Sequence, residues 1–370
     1  MSSSHAAGAD ERARAESDLP AHVASLVRHE YEAIDPGFGR CLDVLARQGA
    51  SEIWHKHGTF LDHLLGVWRI LAAWRQPLDV CRLGLMHSVY SNSFVRMKVF
   101  DSHRSGGRDA VRELIGAEAE RLVHLFCEIR REQLLPGVRV KDGAAIPAEG
   151  IAVDLYRGGG SVRVSRRDLG VFLVVTMADY AEQHFAWQDR LFANVDGDPT
   201  RAGNPHSLWP GDNRPGLWMH LNARLGRLAA ACGADPLPPV FARCTADVAP
   251  AAERDARDLY WDAIVEASAR DDAARAAERL RAACERNPFV AEPHVLLAQA
   301  MLNGGRWPEA LAEARAALAL LASWGTSWDK RLSWEAWVAW SRVLAKAARE
   351  RSWPDTAIGI VSLGEVRAGA

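Results

Sequence analysis

The chain has 370 residues, 48% of them hydrophobic, which is enough for two packed domains. Its 45 basic and 47 acidic residues leave a net charge of −2, so there is no general attraction to a phosphate backbone and nucleic acid is excluded as the expected main partner. No apolar run approaches the roughly 20 residues of a membrane span, and the six cysteines, at 41, 81, 127, 232, 244 and 284, form no C-x-x-C pair, so they read as buried thiols of a reducing, cytoplasmic setting.

Residues 1–20 are polar and lack an apolar stretch, and are expected to be a disordered tail. Residues 21–235 carry the pattern of a mostly helical domain. Between His55 and Leu71, the residues Phe60, Leu64, Val67, Trp68 and Leu71 fall on one helical stripe. Pro77 opens a second helix, where its missing N–H costs nothing. That helix runs from Leu78 to about Tyr90, with Cys81, Leu85, Met86 and Val89 as its apolar face. Residues 91–107 read as a loop, with Arg96, Lys98, Arg104 and Arg108 in or beside it as a candidate clamp for a substrate anion, although a solvated charged loop is the plainer reading. Helical pattern returns over 108–135, jointed at Gly116.

Residues 136–167 alternate apolar and polar side chains around glycines, as in Val138 and Val140 and again in Val162 and Val164, which predicts a small inserted β-ribbon. A helix from about Asp168 is apolar almost all round, with Val171, Phe172, Val174, Val175, Met177 and Ala178, and is therefore expected at the centre of the domain. Residues 194–215 form a long Gly-, Pro-, Asn- and Asp-rich loop of the kind that often serves as a lid or binding loop. A helix over 217–232 closes the domain, and 236–255 reads as a linker.

From 256 to 350 an internal period of 34 residues relates Ala276, Leu280 and Ala283 to Ala310, Ala314 and Ala317. That period is similar to tetratricopeptide arrays, which implies a short stack of helical hairpins that recruits a protein partner or self-associates. An ordinary helical hairpin rich in alanine gives the same pattern. Five tryptophans crowd between Trp324 and Trp340. Packing in a capping helix is their plain role, and a peptide groove or dimer face is the alternative. Residues 351–370 read as a tail.

The chemistry is carried by three side chains. His63 and His87 lie 24 residues apart in two amphipathic helices, and Asp179 lies in the apolar third one. A carboxylate in such a stretch must be paired or bound. Two imidazoles and a carboxylate from separate helices suit one divalent cation. His55, Thr59 and His63 are spaced i, i+4, i+8, so His55 becomes a candidate fourth ligand if the helix starts early enough. For His55 and His57 a loop position is the simpler expectation. Tyr90, Asn92 and Glu182 are candidate catalytic residues of the pocket, and His184 lies close by. No phosphate-binding glycine loop, nucleophile elbow or H-E-x-x-H motif is present.

The order His63, His87, Asp179 resembles that of the HD superfamily of metal-dependent phosphohydrolases. Residues 58–71, 83–87, 110–123 and 172–183 are similar, in order, to the helices of the RelA/SpoT-type guanosine tetraphosphate hydrolase domain, over roughly residues 50–185 apart from the ribbon. The chain departs from that family at Ser88, where the family has Asp, at Ser91 and Asn92, where it has an acidic pair, and at Tyr180, where it has a basic residue. The pattern His55-x-x-x-Thr59-x-x-x-His63-Leu64 with Gly84-Leu85-x-His87-Ser88-x-Tyr90 also resembles a little-studied HD-like group with His-Ser in place of His-Asp.

The resemblance implies a site of His63, His87 and Asp179, with His55 as a possible fourth ligand, holding iron, manganese or zinc. It further implies hydrolysis of a phosphorylated small molecule or nucleotide. The alternatives are an iron-dependent oxygenase of a small metabolite on the same fold, or a degenerate domain that binds a ligand and acts as a regulatory adaptor.

Overall fold

The computed structural model describes residues 19–354 except 56–57, 96–99, 105, 140–144, 184–213, 239, 242, 245–247 and 266–272. They fall into two compact units. The first is drawn from Arg28–His184 and Leu217–Val248, the second from Met1–Val27, Phe185–Gly216 and Ala249–Ala370. Both are mostly helical, and β-structure among the described residues includes two small antiparallel pairs and an isolated bridge between Ile129 and Leu155. Helix α1 (Ala21–Val27) is counted with the second unit.

In the first unit α2 (Phe38–Arg47) leads to a short hairpin, β1 (Trp54–His55) paired with β2 (Gly58–Thr59). Helix α3 (Phe60–Ala73) starts only after it, because Thr59 and Asp62 form a reciprocal cap. Thr59 Oγ1 accepts from the Asp62 N–H at 3.2 Å, and the Asp62 carboxylate accepts from the Thr59 N–H at 2.9 Å. These bonds satisfy backbone donors that the first turn leaves free. The helix therefore does not reach back to His55, and the shared face expected for His55, Thr59 and His63 is corrected to a hairpin followed by a helix.

Helix α4 (Leu78–Met86) follows Pro77 and ends with His87 as its C-terminal cap residue. Gly84 allows its close approach to α3, since a Cβ there would lie 2.3 Å from Leu71 Cδ1. Helices α5 (Gly107–Ile115) and α6 (Ala117–Glu128) are separated by Gly116 at φ +92°, the joint expected there. A 3₁₀ turn, Arg131–Leu134, leads toward the ribbon of β3 (Ile151–Asp154) and β4 (Ser161–Val164). Gly158, Gly159 and Gly160 all take positive φ at its turn. The first strand lies at 151–154 and not around Val138, which sits in a turn.

Helix α7 (Arg166–Gln183) is buried along most of its surface and packs on α3, α4 and α8 (Met219–Ala231). The expected linker over 236–255 is also corrected. Val240, Phe241 and Cys244 are buried, and Phe241 meets the Trp74 ring edge-on at 4.9 Å, so the stretch up to Val248 belongs to the first unit, while residues from Pro250 already form a helix of the second. The loop expected at 194–215 lies almost wholly outside the described residues.

The second unit is a succession of helices, α9 (Pro250–Val265), α10 (Ala273–Arg286), α11 (Glu292–Asn303), α12 (Trp307–Trp324) and α13 (Trp334–Glu350), each packed on the next. The six periodic residues Ala276, Leu280, Ala283, Ala310, Ala314 and Ala317 are all buried there. Four of the five tryptophans, Trp324, Trp328, Trp334 and Trp337, are packed core, and Trp340 is half-buried. Trp324, Trp334 and Trp337 donate their indole N–H to the carbonyls of Phe289, Leu321 and Asp329 at 2.7, 2.9 and 2.9 Å. The expected tail begins packed, since Trp353 donates to Asn303 Oδ1 at 2.7 Å. All six cysteines are free, five of them buried. Among the described residues no helix is long and apolar enough to cross a membrane.

Candidate metal centre

Helices α3, α4 and α7 pack pairwise, and each brings one polar side chain to their common contact. His63 lies in the first turns of α3, His87 ends α4, and Asp179 lies in the last turns of α7. One ligand atom from each lies within 4.8 Å of the others, and all three residues are buried.

The imidazole of His87 is held one way round. Its Nδ1 lies 2.7 Å from the carbonyl oxygen of Gly84. A carbonyl can only accept, so Nδ1 carries the proton and Nε2 keeps a lone pair. Burial, followed by the positive charges of His63 and Arg131, pushes the His87 pKa down to about 3 against the pull of Asp179. His87 is therefore a neutral imidazole with a free donor atom, the form a metal requires.

His63 sits between two carboxylates. Its Nδ1 meets Glu182 and its Nε2 lies 3.3 Å from Asp179 Oδ1. Burial lowers its pKa, but the Glu182 charge and the hydrogen bonds to Asp179 and Glu182 outweigh burial and raise it to about 9. Glu182 reaches His63 because residue 66 is a glycine, where a Cβ would lie 2.6 Å from Glu182 Cγ. A carboxylate behind the non-ligating nitrogen is the usual support of a metal-binding histidine, since it fixes the ring and strengthens the other nitrogen as a donor.

Asp179 is held at both oxygens. Oδ2 accepts from Arg131 Nη2 at 2.5 Å, and Oδ1 accepts from Gln183 Nε2 at 2.6 Å. Burial raises its pKa, but Arg131 and the His63 bond overcome this and hold it well below the ordinary carboxylate range.

His55 reaches the cluster by another route than expected. The hairpin puts its ring 4.5 Å from that of His63, and its Nε2 lies 2.9 Å from Gln183 Oε1. An amide oxygen accepts, so this Nε2 carries a proton and does not face the cluster as a donor of electrons. His55 is a neighbour of the three-residue set and not a member of it.

The other expected site residues divide. Glu182 adjoins the cluster through its bond to His63 Nδ1. Tyr90 does not: its hydroxyl donates to Glu120 at 3.1 Å, and burial together with Glu120 raises its pKa far above the phenol value. Asn92 is consumed in the loop, donating to Ser88 Oγ at 2.9 Å and accepting from the N–H groups of Phe94 and Val95. Arg108 is committed to Glu120 through bonds of 2.6 and 2.8 Å, and Arg104 is exposed. Arg96, Lys98, His57 and His184 lie outside the described residues. A cavity of about 650 Å³ opens elsewhere in the unit, lined by Gln76, Asp79, Arg166, Asp168, Cys232 and Asp235, and touches none of the cluster residues.

Sequence reasoning missed Arg131, which is 4% exposed and pairs with Asp179 from 48 positions away. The only signal was the buried aspartate itself, which needs a cationic partner of some kind.

Two imidazoles and one carboxylate, with the remaining atoms of all three held by Glu182, Gly84 and Arg131, fit a borderline-soft divalent ion such as zinc, iron or manganese. Residues 44–131 match a family model described as a domain of unknown function (DUF6817). The match takes in His55, His63 and His87 and ends at Arg131, and Asp179 lies beyond it. No curated protein and no solved structure matches the chain.

Proposed function

We propose that this chain is an HD-like metal-dependent hydrolase of a phosphorylated small molecule, with His63, His87 and Asp179 as metal ligands. The observation that carries this reading is the free Nε2 of a neutral, buried His87, aimed at two further ligand atoms within 4.8 Å. A buried imidazole with no such purpose would be expected to bond through both nitrogens or to pack apolar. A divalent cation at these atoms supplies a lowered pKa for water and polarisation of a phosphoryl oxygen.

The chain's own residues do the rest. Glu182 keeps the proton on His63 Nδ1 and turns Nε2 inward. Arg131 and Gln183 fix the plane of Asp179, and Gln183 passes that constraint to His55 through its carbonyl. The apolar bodies of α3, α4 and α7 exclude bulk water, which strengthens each of these interactions.

A second reading, a ligand-binding adaptor without turnover, is supported by a specific feature. Positions 88, 91 and 92 carry Ser, Ser and Asn and not the acids of the resembling hydrolases, and Ser88 and Asn92 bond to each other. In that case the helical array of α9 to α13, with its tetratricopeptide-like period, would recruit a protein partner or a second copy. The iron oxygenase alternative keeps the same three ligands.

The test is turnover after reconstitution with manganese, zinc or iron. Phosphate release from a panel of phosphomonoesters and nucleotides is expected for the wild type, and a loss of about 100-fold or more for His87→Ala. Metal-loaded protein that turns over no phosphoester contradicts the hydrolase. Oxygen uptake by the iron form would assign the oxygenase instead.

A further inference from the structure

Arg131 comes to the cluster from outside the three ligand helices. It opens the 3₁₀ turn that follows α6, and its backbone N–H donates to Ser93 Oγ at 3.1 Å. One residue away, Asn92 Oδ1 accepts from the N–H groups of Phe94 and Val95, each at 2.9 Å. The loop at 92–95 is thus tied down beside Arg131. Its guanidinium carbon lies 4.3 Å from the ring centre of Phe126 and 5.2 Å from that of Phe94. Phe126 is fully buried, whereas Phe94 is 57% exposed. A buried cation therefore has, as one neighbour, an aromatic ring that faces water.

The guanidinium is not saturated. Nη2 donates to Asp179, but Nε–H is buried with no acceptor. A charged donor left unmet in a buried position is costly, and such atoms are rare enough to need a reason. Nε–H and Nη2–H together make the planar fork that suits two oxygens of a phosphate or carboxylate. Here one prong is spent on Asp179 and the other is open, beside the carboxylate that faces His63 and His87.

We propose that Arg131 is a substrate-binding residue of this site, which takes a phosphoryl oxygen on its Nε–H while Nη2 holds Asp179, with Phe94 covering it when no substrate is bound. The substrate class follows as an oxyanion small enough to reach a buried guanidinium. The placement beside a metal rests on the reading of the preceding section. The open donor of Arg131 does not.

The test is calorimetric titration of inorganic phosphate, with acetate as the planar control, into metal-loaded and metal-free protein. Wild type, Arg131→Gln, Arg131→Lys and Phe94→Ala are compared, and the metal content of each preparation is measured first. Phosphate is expected to bind wild type at least tenfold more tightly than acetate. Arg131→Gln is expected to lose at least tenfold in phosphate affinity. Arg131→Lys, which keeps a charge for Asp179 but offers no fork, is expected to lose nearly as much, and Phe94→Ala to bind at least as tightly as wild type.

Equal phosphate affinity in wild type and either Arg131 variant, with metal content unchanged, overturns the proposal and leaves the metal centre standing. If Arg131→Gln fails to fold or to hold metal, the lysine variant decides, and wild-type affinity in it overturns the proposal. Acetate binding as tightly as phosphate overturns the substrate class. If wild type holds no metal, the metal reading falls by itself, and phosphate binding by the metal-free protein that depends on Arg131 still supports the anion site. Absence of that binding removes both.

Discussion

Asp179 in the first unit and Asp329 in the second are both nearly inaccessible carboxylates, and each is paired with an arginine. Around Asp329 most polar groups serve the backbone and one another, although Glu292 Oε2 is buried with no hydrogen-bond partner among the described residues. Tyr260 donates to Asp329 Oδ2 at 2.7 Å, Arg331 closes on the same carboxylate, and Glu292 Oε1 accepts from the N–H groups of Trp328 and Asp329 at 2.6 and 3.1 Å. The network fixes the loop between α12 and α13. Around Asp179 the side chains come from three different helices, and ligand atoms converge on one point. Buried charge by itself therefore does not mark a site. Ligand atoms brought from separate helices to one point, as at His63, His87 and Asp179, do.

The largest expected effect lies at the ion pair of the first cluster. Asp179→Ala leaves Arg131 buried without its partner and should cost about 3–5 kcal/mol in unfolding free energy. Adding Arg131→Met should restore a large part of that loss, because the stranded charge is then gone. A single mutant as stable as wild type by denaturant titration would break the contrast from the first side.

The next effect separates the two networks by pH. Burial, with Asp329 adding to it, raises the Glu292 pKa from 4.5 to about 7, against the backbone bonds it accepts. Between those values the native state keeps a proton that the unfolded chain has shed. Stability of the second unit should therefore fall as pH rises from about 4.5 to about 7 and level off above, by on the order of 3 kcal/mol. Glu292→Gln should flatten this slope in thermal unfolding, and an unchanged slope would refute the assignment. The smallest effect belongs to Tyr260→Phe, which removes one buried bond to a carboxylate and should cost about 1–3 kcal/mol. A change in metal content in that variant would contradict a purely structural role for the second network.

Much of the helical frame is legible in the sequence, because long apolar stripes such as Phe60 to Leu71 and Val171 to Ala178 have a single solution. The start of α3 is legible as well, in Thr59 and Asp62, whose reciprocal cap outweighs the i, i+4, i+8 spacing that extends the helix to His55. The order of His63, His87 and Asp179 marks the cluster. The roles of Tyr90 and Asn92 do not follow from their closeness to His87, since a residue just past a helix end can turn either way. Tyr90 turns to Glu120 and Asn92 to its own loop. Arg131 leaves no local trace, because its partner is distant in sequence and arginine is common on surfaces. In the second unit the 34-residue period marks buried contacts, while the tryptophans show their role only through the carbonyls that receive their N–H groups.

The most direct measurement is the metal content of the purified protein by mass spectrometry, wild type beside His87→Ala, before and after incubation with zinc, manganese and ferrous iron. The account predicts about one ion per chain in the wild type and close to none in the variant, whose fold should persist because His87 carries no ion pair. Wild type that takes up no metal after incubation, or a variant that keeps the wild-type content, would contradict it.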